Sequence, residues 1–404
     1  MSSPSTVAAA TPAPPDGTSR APVPDVARGL MLALIALANV MIYLHDRPYG
    51  LRQHVVEDGT ADNVTTALLV TFVDGRAYPL FAALFGYGLV RIADRARARG
   101  VDERGVTSVV RRRSAWLVVF GLVHALLAFS GDVLGWYGLL GVVLAARTRA
   151  SDRVLLWWAA VWLVVASAVQ GLLYADPRIT DQRGFLWSFA IADPFEALGW
   201  RAVEWLMTPV GLLSVVSAVL VGMWAGKRRL LERPERHRPL LRRVAAWGIP
   251  LGVLGGVGTA LATVRVWEPA APVVALLAWA HVLTGVLGGL GYLAAIALVV
   301  SRHDRGPVVL ALRATGERSL SAYLFQTVVF ASLLPAHALA LGATMGTFEA
   351  AVLAVGTWLA TVLLAVLLAR RGRPGPAEAL LRRLRGREPG GREPGGRELR
   401  RPGA

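Results

Sequence analysis

The sequence predicts an all-α integral membrane protein whose helices form one bundle, and two observations support this fold class. Only 17% of the 404 residues are charged and 54% are hydrophobic, whereas soluble domains average about 25% charged residues. The apolar residues also gather in runs of up to 28 residues, which are long enough to cross a bilayer as helices. These runs predict about ten transmembrane helices.

The positions of the basic residues predict which side of the membrane each loop faces. Of the 43 lysines and arginines, 36 fall in segments that the alternation of spans places on one side. Lys and Arg concentrate in cytoplasmic loops, so we expect both termini in the cytoplasm. The formal charge of +16 then reflects topology, and membrane lipids rather than nucleic acid are the expected partners. The chain has no cysteine, which excludes a thiolate or disulfide site.

Composition divides the chain into three segments. Residues 1–24 are rich in Ala, Pro, Ser and Thr, cannot bury apolar surface, and are predicted to be disordered. Residues 25–370 form the predicted membrane domain. Residues 371–404 form a basic, low-complexity cytoplasmic tail, within which residues 377–385 predict an amphipathic helix on the inner leaflet.

The membrane domain alternates predicted spans with polar segments. Val64–Val73 is apolar but too short to cross, so we expect an interfacial or re-entrant helix there. Residues 176–206 carry three tryptophans and predict amphipathic helices at the outer interface. The ten predicted spans are Leu30–Leu44, Tyr78–Ile92, Ser114–Phe129, Val133–Ala146, Val154–Ala175, Met207–Gly226, Val244–Val264, Val273–Val300, Ser319–Leu341 and Thr347–Ala369.

The two spans between Arg111 and Leu144 carry the strongest functional signal. They are joined by the short turn Ser130–Asp132, so the helices lie antiparallel with their basic ends inside. His124 then lies in the outer half of the membrane, where an ionisable side chain is costly and indicates a functional site. Two interpretations stay open: a proton donor or acceptor that faces the bundle interior, or a structural histidine bonded to a neighbouring helix.

Asp132 opens the second of these spans and also has two interpretations. Asp is a preferred N-cap residue, because its carboxylate accepts a hydrogen bond from an amide of the first helical turn. A carboxylate can also orient an imidazole and stabilise its charged form. Eight residues along a straight helix cover about 12 Å, so this second role requires the turn to fold Asp132 back toward His124. The two roles are compatible.

The other histidines on the outer side are weaker candidates. His281 is predicted in the outer half of its span, which makes it a candidate for binding a substrate or lining a path. The remaining three are predicted at or beyond outer helix ends: His45, His54 and His337. Their clustering places any chemistry in the outer half of the bundle.

Two further sets of polar residues have a structural and a functional interpretation. Ser319, Tyr323 and Gln326 fall on one helix face, where they either bond neighbouring helices or line a cavity. Asp25 and Arg28 precede the first span, where they either start the helix or bind an anionic ligand from the cytoplasm. The sequence contains no P-loop, GxSxG, HExxH or metal-ligand pattern, so no metal site is predicted.

Four blocks of the chain, over about residues 25–370, resemble the YeiB-like DUF418 family of bacterial multi-pass membrane proteins. They are DVARG before the first span, FVDGRAYPLFAALFGYGL, RRRSAWLVVFGLVHALLAFSGDVLGWYGLLG, and GERSLSAYLFQTVVF near the end. The block that contains His124 and the following Gly-Asp is the most specific. The late block reads SAYLFQT where the family tends toward a TNYLxQS-like run.

This family is distantly similar to transmembrane acyltransferases, which move acyl groups from a cytoplasmic thioester to an extracytoplasmic sugar or lipid. The resemblance implies a location in the bacterial inner membrane, an acyl-CoA donor, and an envelope glycan or lipid as acceptor. His124 would then act as general base, Asp132 would orient it, and Arg28 would meet the donor. The alternatives are a transporter whose path is lined by His124, His281 and the Tyr323 face, and a non-catalytic envelope protein.

The distribution of basic residues predicts the result of a topology experiment. A reporter fused after Arg99, Arg229 or Arg313 should read as cytoplasmic, and one fused after Gly59 or Ala190 as extracytoplasmic, because arginine-rich loops stay inside. Alkaline phosphatase and green fluorescent protein fusions measure both states. An inverted result at any of the five positions contradicts the ten-span topology.

Overall fold

A computed structural model describes residues 21–385, and this range consists of helices and connecting loops, with two isolated β-bridges at Tyr49. The described α-helices are α1 Pro22–Val40, α2 Thr60–Phe72, α3 Ala77–Ala98, α4 Glu103–Leu127, α5 Leu134–Leu144, α6 Asp152–Leu173, α7 Pro194–Gly211, α8 Val215–Lys227, α9 Arg238–Thr263, α10 Ala271–Val300, α11 Pro307–Glu317, α12 Ser319–Leu333, α13 Thr347–Arg370 and α14 Pro376–Arg385. Most of the predicted disordered tail and the end of the basic tail lie outside the described residues.

Within residues 21–385, six helical segments are long and apolar enough to cross a membrane, and a seventh is added when α7 and α8 count as one bent span. In two of the predicted spans the structure instead has shorter apolar helices, Leu134–Arg147 and Ser319–Leu333. The integral-membrane character rests on this set of apolar helices. The count of ten spans and the cytoplasmic location of both termini stay predictions.

The outward faces of the long helices are apolar. Leu127 on α4 and Trp247 and Leu254 on α9 are each about 70% exposed. Soluble monomers rarely expose large contiguous apolar patches, whereas lipid solvates such side chains. The exposed apolar surface therefore agrees with a bundle that sits in a membrane.

Several predicted helix bounds are wrong, and local sequence explains why. The predicted span Met207–Gly226 is broken, since α7 ends at Gly211, α8 begins at Val215, and the two axes bend by 64°. Pro209 lies in the last turn of α7, where a proline lacks the amide hydrogen that continues a helix. The predicted Ser319–Leu341 helix ends at Leu333, two residues before Pro335, which has no amide hydrogen to continue the helical hydrogen bonds.

Other helices extend into segments that were predicted as polar loops. Helix α1 begins eight residues before Leu30, so Asp25 lies inside the helix rather than at its start. Helix α4 begins at Glu103, where the Asp102 carboxylate accepts a hydrogen bond from the Gly105 amide and caps the helix. Helix α11 occupies much of the predicted inner loop and packs against α1. These extensions contain charged residues, so helix bounds predicted from apolar runs alone do not include them.

The short apolar segment Val64–Val73 forms most of α2, which packs against α9 and α13 within the bundle. A break at Val73–Arg76 separates it from α3. The two helices together satisfy the length and composition of a membrane span. The break between them places Asp74 and Arg76 inside the structure, and Asp74 lines the cavity described below.

Helix α14 matches the predicted amphipathic helix and docks against the bundle. Its Glu378 carboxylate accepts hydrogen bonds from the Leu320 amide at 2.8 Å and from the Ser321 hydroxyl at 2.5 Å. These groups lie in the first turn of α12, whose amides have no partner within their own helix. Glu378 therefore caps α12 from a distant part of the chain.

The contact between α3 and α8 depends on a missing side chain. A Cβ atom at Gly222 would lie 2.0 Å from the Ala83 carbonyl oxygen. Small residues permit such close approach between membrane helices.

We expect Gly222→Ala to lower the free energy of unfolding in detergent by about 1–3 kcal/mol, the usual cost of overpacking. Gly356→Ala on α13 is the matched control, because nothing lies within 4 Å of its Cβ. Equal stability of the two variants would contradict the packing described here.

Candidate functional site

The turn between α4 and α5 brings His124 and Asp132 into contact. His124 Nδ1 lies 2.8 Å from Asp132 Oδ1. The second carboxylate oxygen, Asp132 Oδ2, accepts a hydrogen bond from the Gly135 amide at 2.7 Å. Both side chains are buried, and Asp132 is fully excluded from the surface. The carboxylate thus caps the first turn of α5 and holds the imidazole at the same time.

The local sequence allows this close arrangement because of a glycine on α4. A Cβ atom at Gly121 would lie 2.1 Å from the Gly135 amide nitrogen and 2.4 Å from Asp132 Oδ2. Helix α4 ends where the Ala128 and Phe129 amides both bond to the His124 carbonyl. The chain then reverses and returns the carboxylate to the level of the imidazole.

His124 keeps one ring nitrogen without a hydrogen-bond partner among the described residues, and that atom is Nε2. The hydroxyl groups of Ser130 and Tyr323 are likewise buried without such a partner. The rings of Tyr323 and His124 lie 4.9 Å apart between centroids. Since buried polar atoms are nearly always hydrogen-bonded, each exception requires an explanation such as a catalytic role.

This geometry fixes the tautomer of His124. Nδ1 donates to the carboxylate, so Nε2 carries the free lone pair and can accept a proton. An imidazole held in this way is the standard arrangement of a general base, with the carboxylate stabilising the imidazolium that forms. The arrangement can therefore remove a proton from a hydroxyl group that approaches Nε2.

The other candidate residues on α12 and α1 occupy different environments. Gln326 lies one turn beyond Tyr323, and both of its amide atoms are buried without a hydrogen-bond partner among the described residues. Asp25 is buried and accepts a hydrogen bond from Arg28 at 2.9 Å. The structure therefore brings Tyr323 to His124, whereas Asp25 and Arg28 pair with each other within α1.

His281 contacts an arginine that sequence analysis assigned to an outer loop. Its Nε2 lies 3.1 Å from Arg76 Nη1. Arg76 is only 1% exposed and also donates to the carbonyls of Gly252 and Asp74. The signal that could have found Arg76 is its position between two apolar runs, in FVDGRAYPLF.

A second histidine–aspartate pair was missed by sequence analysis. His54 Nε2 lies 2.7 Å from Asp74 Oδ2, although 20 residues separate them in the chain. The pair lines a partly open cavity of about 160 Å³. The polar residues of its lining are Arg52, Gln53, His54, Asp74, Gln170 and Arg183. Burial lowers the pKa of Arg183 below its ordinary value, yet arginine stays charged at neutral pH.

A more apolar cavity of about 130 Å³ adjoins the first and shares Tyr78, Tyr174 and Phe185 with it. Neither of these two cavities is lined by His124 or Asp132, although Gly131 and Val133, which flank Asp132, line the second. Within residues 21–385 no group of three or more His, Asp or Glu side chains is arranged to hold a metal ion.

The pairing of His124 with Asp132 predicts measurable energetic coupling. A double-mutant cycle with His124→Ala and Asp132→Ala should give a coupling free energy of about 1.5–3 kcal/mol, the range for a hydrogen bond to a charged group. Unfolding in mixed micelles measures each free energy. The matched control is the exposed pair Arg178 and Asp176, for which we expect no measurable coupling because water screens it. A His124–Asp132 coupling as small as the control contradicts the assignment.

Comparison with known proteins shows similarity to one family and to uncharacterized bacterial proteins. A model of the family described as "Protein of unknown function (DUF418)" matches residues 225–387. The chain is 25% identical over 392 residues to the uncharacterized protein YeiB of Escherichia coli (strain K12), which covers 89% of this chain and 94% of YeiB. It is 29% identical over 257 residues to the uncharacterized protein YxaH of Bacillus subtilis (strain 168), spanning 57% of this chain and 63% of YxaH. The family model leaves α4 and α5 unmatched, but the similarity to YeiB extends over most of the chain. Residues 225–387 are therefore similar to the DUF418 family, and most of the chain is similar to YeiB.

Proposed function

We propose that this protein is a membrane acyltransferase that acylates a hydroxyl group of an envelope glycan or lipid. The observation that supports this proposal is the His124–Asp132 pair, whose Nε2 atom is buried without a hydrogen-bond partner among the described residues. A general base needs the free nitrogen that His124 keeps.

The proposed reaction transfers an acyl group from an acyl-CoA thioester to the acceptor hydroxyl. His124 Nε2 takes the hydroxyl proton while the acceptor oxygen attacks the thioester carbonyl carbon. The carbon–sulfur bond then breaks, and the imidazolium returns the proton to the leaving thiolate. The products are an ester and a free thiol, so the imidazole ends in its starting state.

Asp132 would hold His124 in the orientation that a general base needs. The carboxylate accepts the hydrogen of Nδ1, which leaves Nε2 as the proton acceptor. The Gly135 amide fixes the other carboxylate oxygen, so the carboxylate cannot rotate away during the reaction. The tyrosine ring of Tyr323 lies against the imidazole and helps to exclude water from it.

A transport function is less well supported by the contacts. A polar path would have to include His124, His281 and the Tyr323 face, but His281 is bound to Arg76. The two cavities described above are not lined by any of these three residues. Acyl transfer requires only local access to Nε2. The bacterial inner membrane is the proposed location, with the acceptor presented on its outer side.

Profiling of acylated envelope lipids and glycans tests this proposal. A strain that lacks the gene should lose an acylated species, and the wild-type gene should restore it. His124→Gln should restore it at a rate lower by a factor of about 10²–10⁴, the usual contribution of a general base. His303→Gln is the matched control, because His303 is exposed in the turn after α10, and it should restore the species fully.

Two results contradict the proposal. The first is a profile of esters that is the same with and without the gene. The second is full restoration by His124→Gln when the protein is present at the wild-type level. Equal amounts of folded protein are verified by detergent solubilisation and size-exclusion chromatography.

A further inference from the structure

The cavity beside the His54–Asp74 pair is lined by a cationic side chain, Arg52, with two nitrogen atoms that have no hydrogen-bond partner among the described residues. Arg52 lines this cavity, and its Nε and Nη1 atoms are buried without a hydrogen-bond partner among the described residues. Its guanidinium lies 5.1 Å from the centre of the Tyr174 ring, on the ring face. Burying an arginine without hydrogen bonds to its donors is costly. A ligand with anionic oxygens would satisfy them.

Backbone strain is concentrated at the same cavity. Arg52 and Gln53 are consecutive residues with positive φ, at 59° and 63°, and Leu186 has φ 59°. All three line this cavity. Such conformations cost about 1–3 kcal/mol each in residues other than glycine and cluster at ligand-binding sites. The Arg52 side chain lies over the ring of Tyr174, the residue that follows the last turn of α6.

A second cation contributes to the electrostatics of the cavity. Arg183 donates to the carbonyl of Met41 at 3.1 Å and lies over the Tyr49 ring. Asp74 is the single carboxylate among the cavity-lining residues, and it is bonded to His54. The lining therefore carries two guanidinium groups and one carboxylate. The net positive potential favours an anion.

The adjoining cavity indicates that the anion has an apolar part. It shares Tyr78, Tyr174 and Phe185 with the polar cavity and continues among Val133 and Met207. A molecule that extends from one cavity into the other would place an anionic head at Arg52 and an apolar chain among these side chains. This division of polar and apolar surface matches an amphiphile.

We propose that these two cavities form a binding site for a phosphate-bearing amphiphile, with Arg52 as the principal ligand of the phosphate. Arg183 also lines the polar cavity and adds positive charge. The His54–Asp74 pair presents its remaining imidazole nitrogen to the head group. This site uses none of the residues of the His124–Asp132 pair, so it goes beyond the acyl transfer proposed above.

Binding measurements on the purified protein in neutral detergent test this site. The probes are dihexanoyl phosphatidic acid, inorganic phosphate and dihexanoylglycerol, which separate the lipid phosphate, the free phosphate and the apolar chains. We expect dihexanoyl phosphatidic acid to bind at least tenfold more tightly than either of the other two. Arg52→Gln should weaken its binding by about tenfold or more, since a hydrogen bond to a charged group contributes roughly that factor.

Arg178→Gln is the matched control for charge. Arg178 belongs to the same outer segment as Arg183 but is exposed and paired with Asp176, so its loss should leave binding unchanged. A structural role of Arg52 is tested by the melting temperature without ligand. Because two of the Arg52 donors lack partners, Arg52→Gln should melt at the same temperature as the wild type or higher.

Four results overturn the proposal. They are no binding of dihexanoyl phosphatidic acid by the wild-type protein, equal affinities for this lipid and dihexanoylglycerol, wild-type affinity in Arg52→Gln, and equal affinities for the lipid and inorganic phosphate. A lower melting temperature of Arg52→Gln also contradicts it, because it would assign a structural role to Arg52. The assay contains no acyl donor, so none of these results depends on acyl transfer.

Discussion

Asp132 accepts one hydrogen bond from the imidazole of His124 and another from the Gly135 amide, and the geometry around the α4–α5 turn depends on both. In a bilayer no water is available to replace either bond, so the chain itself must satisfy each polar group. That requirement fixes the length of the turn and the close approach at Gly121. It also fixes the direction in which the imidazole faces.

The same constraint governs the other buried charges, and breaks in the helices supply their partners. Arg76 lies where α2 meets α3 and donates to backbone carbonyls rather than to a carboxylate. Arg201 on α7 donates to the Leu126 carbonyl near the end of α4. Glu204 accepts hydrogen bonds from the amide and hydroxyl of Ser188, in a short irregular segment. Backbone groups at helix breaks and helix ends within the bundle therefore supply the hydrogen-bond partners that water would supply outside the membrane.

The sequence predicted the parts of the structure that depend on local apolar pattern. Helices α6, α10 and α13 follow long apolar runs and lie close to their predicted bounds. The sequence left open whether Asp132 meets His124, because the contact requires the three-residue turn to fold the carboxylate back. The acyltransferase role assigned to this pair stays a prediction.

The contacts that escaped prediction join segments distant in the chain. His54 meets Asp74 only because residues 45–59 adopt an irregular path with left-handed backbone at Arg52 and Gln53. No pattern of residue types predicts such a path, and the residues that contact it belong to another outer segment. The break between α7 and α8 escaped for a different reason, since Pro209 lies inside an apolar run that reads as continuous.

The docking of α14 has a mechanical consequence for α12. Glu378 accepts hydrogen bonds from the Leu320 and Ser321 amides, and these bonds restrict rotation of α12 about its own axis at the end that topology predicts to be cytoplasmic. Tyr323 lies less than one turn further along, so the same restriction keeps its ring facing His124. A segment that follows the last long apolar helix thus helps to orient a residue of the candidate site.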